Sequence, residues 1–271
     1  MRLITDTSEL RKIQMDILSY VDNICRNHGI HYSLSGGSLI GAVRHKGYIP
    51  WDDDIDIMLT RKEYDRLVAI IDRDSHIAKT PYKVLTHDII SDFKYPYAKV
   101  VDNRTIMHEH IKGCKDFGIG IDVFPCDPVP DEDVILTRLL KRMRLLYNIL
   151  MIKRLKWSKQ RSFSKNLIAF FSQIAMAPLS TNRLLVTMDH TARKAADDNS
   201  SRKGCLVWGY GRKEIMPSSL YNNFIDMPFE DRTYMAVADY DTYLSNLFGD
   251  YMKLPPIEKR ATHHAYEAYM K

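Results

Sequence analysis

Residues 49–59 read IPWDDDIDIML, four aspartates within five positions followed at once by an apolar run. A strand alternates its side chains between two faces, so Asp54 and Asp56 share one face while Ile55, Ile57 and Leu59 share the other. Carboxylates at that spacing raise each other's pKa and oppose folding unless a cation sits between them. Hard oxygen donors of this kind suit Mg²⁺ or Mn²⁺. Asp52 and Asp53 fall in the turn after Pro50, where solvation or capping explains them as well as ligation does. Asp52, Asp54, Asp56 and Glu63 also fit the register of an EF-hand calcium loop, but Ile57 stands where that loop requires glycine. Glu63 has another use: Thr60 to Glu63 forms a capping box that opens a helix to about Ile71.

Upstream, Asp6 with Glu9 opens a helix over residues 7–28, and Leu10, Ile13, Ile17, Val21 and Ile24 recur at helical spacing. IHYSL then alternates like a half-buried strand, meets Gly36, Gly37 and Ser38, and passes into a short helix, LIGAVRH. Strand, glycine turn and helix N-terminus leave backbone N–H groups free to face a phosphate. It is not a dinucleotide fingerprint, because Ser38 occupies a position that needs glycine. A third carboxylate comes from GIGIDVFPCD, where Ile119, Ile121 and Val123 mark the buried face and Asp122 the opposite one. Asp127 lies nearer a proline-rich turn and reads as structural. Arg44, His45 and Lys46 precede the acids closely enough to reach a phosphate, and Lys99 in YAKVVD is a similar cation on a strand.

The formal charge of +5 is uneven: residues 131–165 hold ten Lys or Arg against three acids. That basic segment reads as a solvated helix face or as a surface for an anionic lipid, and no nucleic-acid partner is expected. LIAFFSQIAMAPL, residues 167–179, is too short to span a bilayer and reads as a buried helix, with membrane-surface contact as the alternative. Cys25, Cys114, Cys126 and Cys205 are widely separated, which argues against a zinc site or a disulfide framework. A reducing cytoplasm is the expected setting. Near the C-terminus Tyr240, Tyr243, Leu244 and Leu247 mark an amphipathic helix stopped by Gly249, and the adjacent His263 and His264 point apart on a helix.

LSGGSLIGAVRHKGYIPWDDDIDIML resembles the signature of the LicD family, phosphocholine transferases that decorate bacterial surface polysaccharides and are similar to fukutin. YPYAKVVDNRT, GIDVFP and LFGDYMKLPPIEKRATHH resemble the same family and occur in its order. The resemblance implies an α+β fold of the DNA polymerase beta nucleotidyltransferase type: a small mixed sheet flanked by helices, here with a helical insertion. A catalytic core with its N-terminal helix is expected over residues 1–130 and a segment completing the same single domain over 201–271, while residues 131–200 carry no family motif and read, from their charge and apolar pattern alone, as a basic helical insertion. Gly36, Gly37 and Ser38 become the substrate-binding turn, and Asp54, Asp56 and Asp122 the catalytic, metal-binding carboxylates.

The implied reaction moves a phospho-alcohol, with phosphocholine foremost, from a CDP-activated donor such as CDP-choline to a sugar hydroxyl of a surface glycan or lipid-linked glycan, releasing CMP. Arg44, Lys46, Trp51 and Lys99 join the expected substrate contacts. A choline cargo wants aromatic faces, for which Tyr48, Trp51, Phe124, Trp208 and Tyr210 are available. A lipid-linked acceptor would bring the protein to the inner face of the cytoplasmic membrane. Two other functions stay open: transfer of a nucleoside monophosphate from ATP or CTP, and non-catalytic binding of a glycan or membrane surface.

Overall fold

The computed structural model describes every residue except 79, 110, 113, 114, 158–160 and 261–265. Cys114, Lys159, His263 and His264 therefore lie outside the described residues. A short strand, β1 (Arg2–Ile4), leads into α1 (Thr7–His28), whose N-terminus is capped by Asp6, its carboxylate accepting from the Ser8 N–H at 2.8 Å. Gly29 ends the helix at φ 59, a left-handed conformation that glycine adopts without penalty. Glu9 pairs with Arg2 instead of completing a capping box.

The chain continues through β2 (Ser33–Leu34), α2 (Gly36–His45), β3 (Asp56–Thr60), α3 (Arg61–Ile77), β4 (Tyr82–Leu85), β5 (Ala98–Asp102), β6 (Thr105–Glu109) and β7 (Gly120–Val129). Three helices follow, α4 (Asp133–Arg154), α5 (Phe163–Ala175) and α6 (Thr181–Arg193). The rest comprises β8 (Arg202–Gly204), β9 (Met216–Pro217), β10 (Phe224–Phe229), β11 (Arg232–Val237), α7 (Tyr240–Phe248) and β12 (Tyr266–Met270).

The central sheet runs β2-β3-β7-β5-β4, and it is mixed because β3 and β7 are parallel while the other pairings are antiparallel. Beyond β5, the far half of β7 pairs with β8, which pairs with β9. β12 lies between β1 and β6, so the two chain ends share a second sheet, and β10 and β11 form a hairpin. The architecture is α+β. Ile57, Leu59, Ile121 and Val123 bury one side of the central sheet in the main core together with Ile17, Leu18 and Val21 of α1.

Several local expectations are corrected. The IHYSL strand shrinks to Ser33–Leu34, and β3 begins at Asp56, with Asp54 in the extended approach to it. α3 runs to Ile77 rather than about Ile71; the Thr60 side chain does not cap it, and Glu63 turns to Arg66. Asp127 belongs to a strand, not a turn.

The largest difference concerns LIAFF. α5 is not a buried helix: Asn166 is its one buried residue among those described, and Phe163, Ile168, Phe170, Phe171 and Ile174 face outward. Hydrophobicity predicts that a segment avoids water, whereas coverage depends on a neighbour, and α4 keeps its own apolar stripe, Leu136, Met143 and Leu150, for the main core. Among the described residues no helix is long and apolar enough to cross a membrane.

Candidate active site

Two pairings assemble the centre of the site. The parallel register of β3 on β7 sets Asp56 opposite Asp122, and the antiparallel register of β5 on β7 sets Lys99 on the other side of Asp122. Lys99 Nζ reaches Asp122 Oδ1 at 2.7 Å and lies 3.7 Å from Glu109, while its ammonium stands 4.7 Å from the Tyr95 ring centre. Burial first, and then the neighbouring Asp122 charge, push the Tyr97 phenol well above its usual range. The Asp56 N–H donates to Ser38 Oγ at 2.9 Å, which ties the strand to the glycine turn.

That turn comes as close as glycine permits. A side chain begun at Gly37 would meet Asp52 Oδ2 at 2.8 Å, and one begun at Gly36 would meet Asp56 Oδ2 at 3.3 Å. The first helical bond of α2 is Leu39 N–H to Ser35 O, so the amides of Gly36, Gly37 and Ser38 lie ahead of the helical ladder at its positive end.

Burial pushes the Asp56 carboxyl well above the usual range, reinforced by Asp54, then Asp122, then Asp52, with Lys99 opposing them. The charges that act most on Asp56 are thus three carboxylates against one ammonium. A crowded set of hard oxygen donors in a half-buried cleft fits a divalent cation, since an ion would offset the repulsion the fold tolerates there.

Asp54 and Asp56 stand where two cavities meet. One, of about 470 Å³, also takes in Asp122, Lys99, Glu109 and Arg154. The other, of about 300 Å³, takes in Gly36, Gly37, Asp52 and Glu214. Trp208 borders both, packed edge-on against Phe124 at 5.2 Å and against Tyr97 at 5.6 Å. The arrangement can hold two reactants on either side of one acidic centre.

Other expected residues lie elsewhere. Arg44 binds His45 and the Tyr251 carbonyl, Lys46 is an exposed left-handed residue ending α2, and Trp51 lies against His45 and the Arg260 guanidinium; none of the three borders either cavity. Tyr48 packs on Phe229 in the core. Asp53 is buried and accepts from the Tyr266 hydroxyl at 2.5 Å, which fastens the acidic turn to β12.

Sequence reasoning missed Glu109, Arg154 and Glu214. Arg154 ends the basic helix α4 with its guanidinium 4.2 Å from the Tyr95 ring centre, and with Tyr147 and Met151 it brings that helix to the larger cavity. Among the described residues one group of three metal-ligating side chains closes to within 4.8 Å, and it is His87, Asp88 and Asp189 rather than the three aspartates of the sheet. Asp189 is already held by Arg61 at 3.0 Å and Arg193 at 2.6 Å, so two cations occupy the charge that a metal would use there.

Comparison with known proteins agrees with the motif evidence. Residues 29–144 match the family model described as LicD/FKTN/FKRP, nucleotidyltransferase domain. The Lipopolysaccharide cholinephosphotransferase LicD of Haemophilus influenzae is 33% identical over 267 residues, covering 97% of each chain. The chain belongs to the LicD family. Ribitol 5-phosphate transferase FKRP of Homo sapiens and its counterpart in Mus musculus are each 50% identical over 38 residues, 14% of this chain and 8% of theirs. The LicD model spans the glycine turn, the acidic strand and Asp122, and stops within α4.

Proposed function

We propose that this LicD-family chain is a transferase that moves a phospho-alcohol, phosphocholine before others, from a CDP-linked donor to a sugar hydroxyl of a bacterial surface glycan such as lipopolysaccharide, teichoic acid or capsule, releasing CMP. The full-length likeness to a lipopolysaccharide cholinephosphotransferase supports the choice of reaction. The observation that carries the chemistry is the meeting of two cavities at Asp54 and Asp56, because a transfer needs donor and acceptor on opposite sides of one reacting phosphorus. The core is proposed to be of the DNA polymerase beta nucleotidyltransferase type.

Asp54, Asp56 and Asp122 would hold Mg²⁺ or Mn²⁺. When bound, the cation supplies positive charge to the phosphate oxygens and favours ionisation of the acceptor hydroxyl. The amides of Gly36, Gly37 and Ser38 donate to phosphate oxygens at the head of α2. Asp122, oriented by Lys99, takes the proton from the acceptor hydroxyl as its oxygen bonds to the phosphorus bearing the alcohol. The bond from that phosphorus to the CMP oxygen breaks, and CMP departs with the electron pair. Arg154 offers a fixed guanidinium to a phosphate or sugar oxygen in the larger cavity.

The outward apolar face of α5, neighboured by exposed Lys156 and Lys165, fits shallow contact with an anionic membrane that presents a lipid-linked acceptor. Replacing Phe170 and Phe171 by Ser should abolish cosedimentation with phosphatidylglycerol vesicles; unchanged cosedimentation would rule the contact out. The transfer itself is tested by incubating purified protein, Mg²⁺, CDP-choline and glycan lacking choline. Choline on the glycan with equimolar CMP is the expected outcome, whereas pyrophosphate released from CTP with no turnover of CDP-alcohols would point to nucleotidyl transfer.

A further inference from the structure

Glu214 is 6% exposed, yet among the described residues no Lys, Arg or His pairs with it. Two acids buried more deeply, Asp127 and Asp102, are compensated by Arg61 and Arg104 respectively. Glu214 instead borders the smaller cavity, whose walls include Phe124, Trp208, Tyr210, Tyr243 and Phe248. Burial alone pushes its carboxyl up to about 8. A carboxylate left without a cation in an aromatic enclosure opposes folding, and such a feature persists where a ligand supplies the missing charge.

The aromatic walls are held in place. Tyr210 packs edge-on against Phe248 at 5.9 Å, and Trp208 against Phe124 at 5.2 Å. Glu214 ends a single 3₁₀ turn, Gly211–Glu214, fixed to α7 by Asn246 Nδ2 donating to the Lys213 carbonyl at 2.7 Å and by Lys213 Nζ donating to the Leu247 carbonyl. α7 in turn carries Tyr243 and Phe248.

We infer that this smaller cavity is a quaternary-ammonium site, in which the five aromatic faces and Glu214 receive the trimethylammonium end of the transferred alcohol. A trimethylammonium carries a diffuse charge and has no N–H to donate, so it is recognised by ring faces and a carboxylate rather than by directed hydrogen bonds. A polyol would leave the aromatic walls without function. Asp54 and Asp56 border the same cavity, which sets the cation's anchor on the same side as the reacting phosphate. The inference rests on the phospho-alcohol reading for its biological meaning, although the binding it asserts is measurable without any transfer.

The test is calorimetric titration of the full chain at pH 9, where the Glu214 carboxyl is ionised, with choline and with its uncharged carbon analogue, 3,3-dimethylbutanol. Choline should bind at least about 10-fold more tightly than the analogue, and Glu214→Gln should weaken choline by about 10-fold while hardly affecting the analogue. Trp208→Leu should weaken both. Equal affinity for the two ligands in the unaltered protein would overturn the inference without recourse to any variant, as would undiminished choline binding by Glu214→Gln. Turnover with CDP-ribitol and no choline binding would sink the inference and leave the transferase standing; choline binding without turnover of any CDP-alcohol would do the reverse.

Discussion

The two ends of β7 carry aspartates five residues apart under opposite electrostatic conditions. At the far end Asp127 is wholly buried and held by two bonds from Arg61, which also reaches Asp189. At the near end Asp122 faces Asp56 across the sheet, with Asp54 and Asp52 adding to the field and Lys99 as the opposing charge. One strand thus holds an acid neutralised by the fold and an acid cluster that the fold leaves in excess. A neutralised acid serves structure, whereas an excess that costs stability marks a place where charge from outside is expected.

The comparison can be broken by substitutions at either end. Asp54→Ala should reduce choline transfer on the order of 10²–10³-fold in the kcat of purified protein, with its circular dichroism unchanged; full activity would remove this residue from the mechanism. Asp127→Ala should act the other way, lowering stability by about 3–5 kcal/mol in urea melts because it strands the Arg61 charge, while kcat per folded molecule stays near normal. Lys99→Gln loosens Asp122 without removing it, so a slower rate by about 10–100-fold is expected with little change in donor affinity. A fall in donor affinity alone would assign Lys99 to binding.

The smallest effect concerns Glu214. Its carboxyl rises on folding from an ordinary 4.5 to about 8. The stability associated with its protonated form is complete below pH 4.5 and is lost as pH rises through about 8. Glu214→Gln cannot titrate, so its melting temperature should gain on that of the unaltered protein between pH 5 and pH 8.5, by about 5 °C. Parallel pH profiles would show that Glu214 does not hold that proton.

Much of the near end of β7 was legible because its information is local. Alternation along DIDIML, residues 54–59, separates acids from apolar residues, and a second alternating run around Asp122 does the same on another strand. The helix over residues 7–28 was legible from its caps and period. Arg44 and Lys46 are near the acids in sequence, but the end of α2 carries them away from both cavities: Lys46 turns left-handed at φ 62 and Arg44 donates to the Tyr251 carbonyl. Glu109, Arg154 and Glu214 left no signal, since β6, the end of α4 and a lone 3₁₀ turn reach the cavities through tertiary contacts. α5 was legible as an apolar helix but not as an uncovered one, because sequence records a preference and not a neighbour.

We propose that the Asp54, Asp56 and Asp122 cluster is an acidic excess built for a divalent cation. It is tested most directly by melting the protein and its Asp56→Asn variant with and without Mg²⁺. Asn at this position should raise the melting temperature in the absence of divalent ions and remove the increment that Mg²⁺ gives the unaltered protein. A lowered melting temperature with the Mg²⁺ increment intact would place Asp56 with Asp127 among the structural acids and contradict the account.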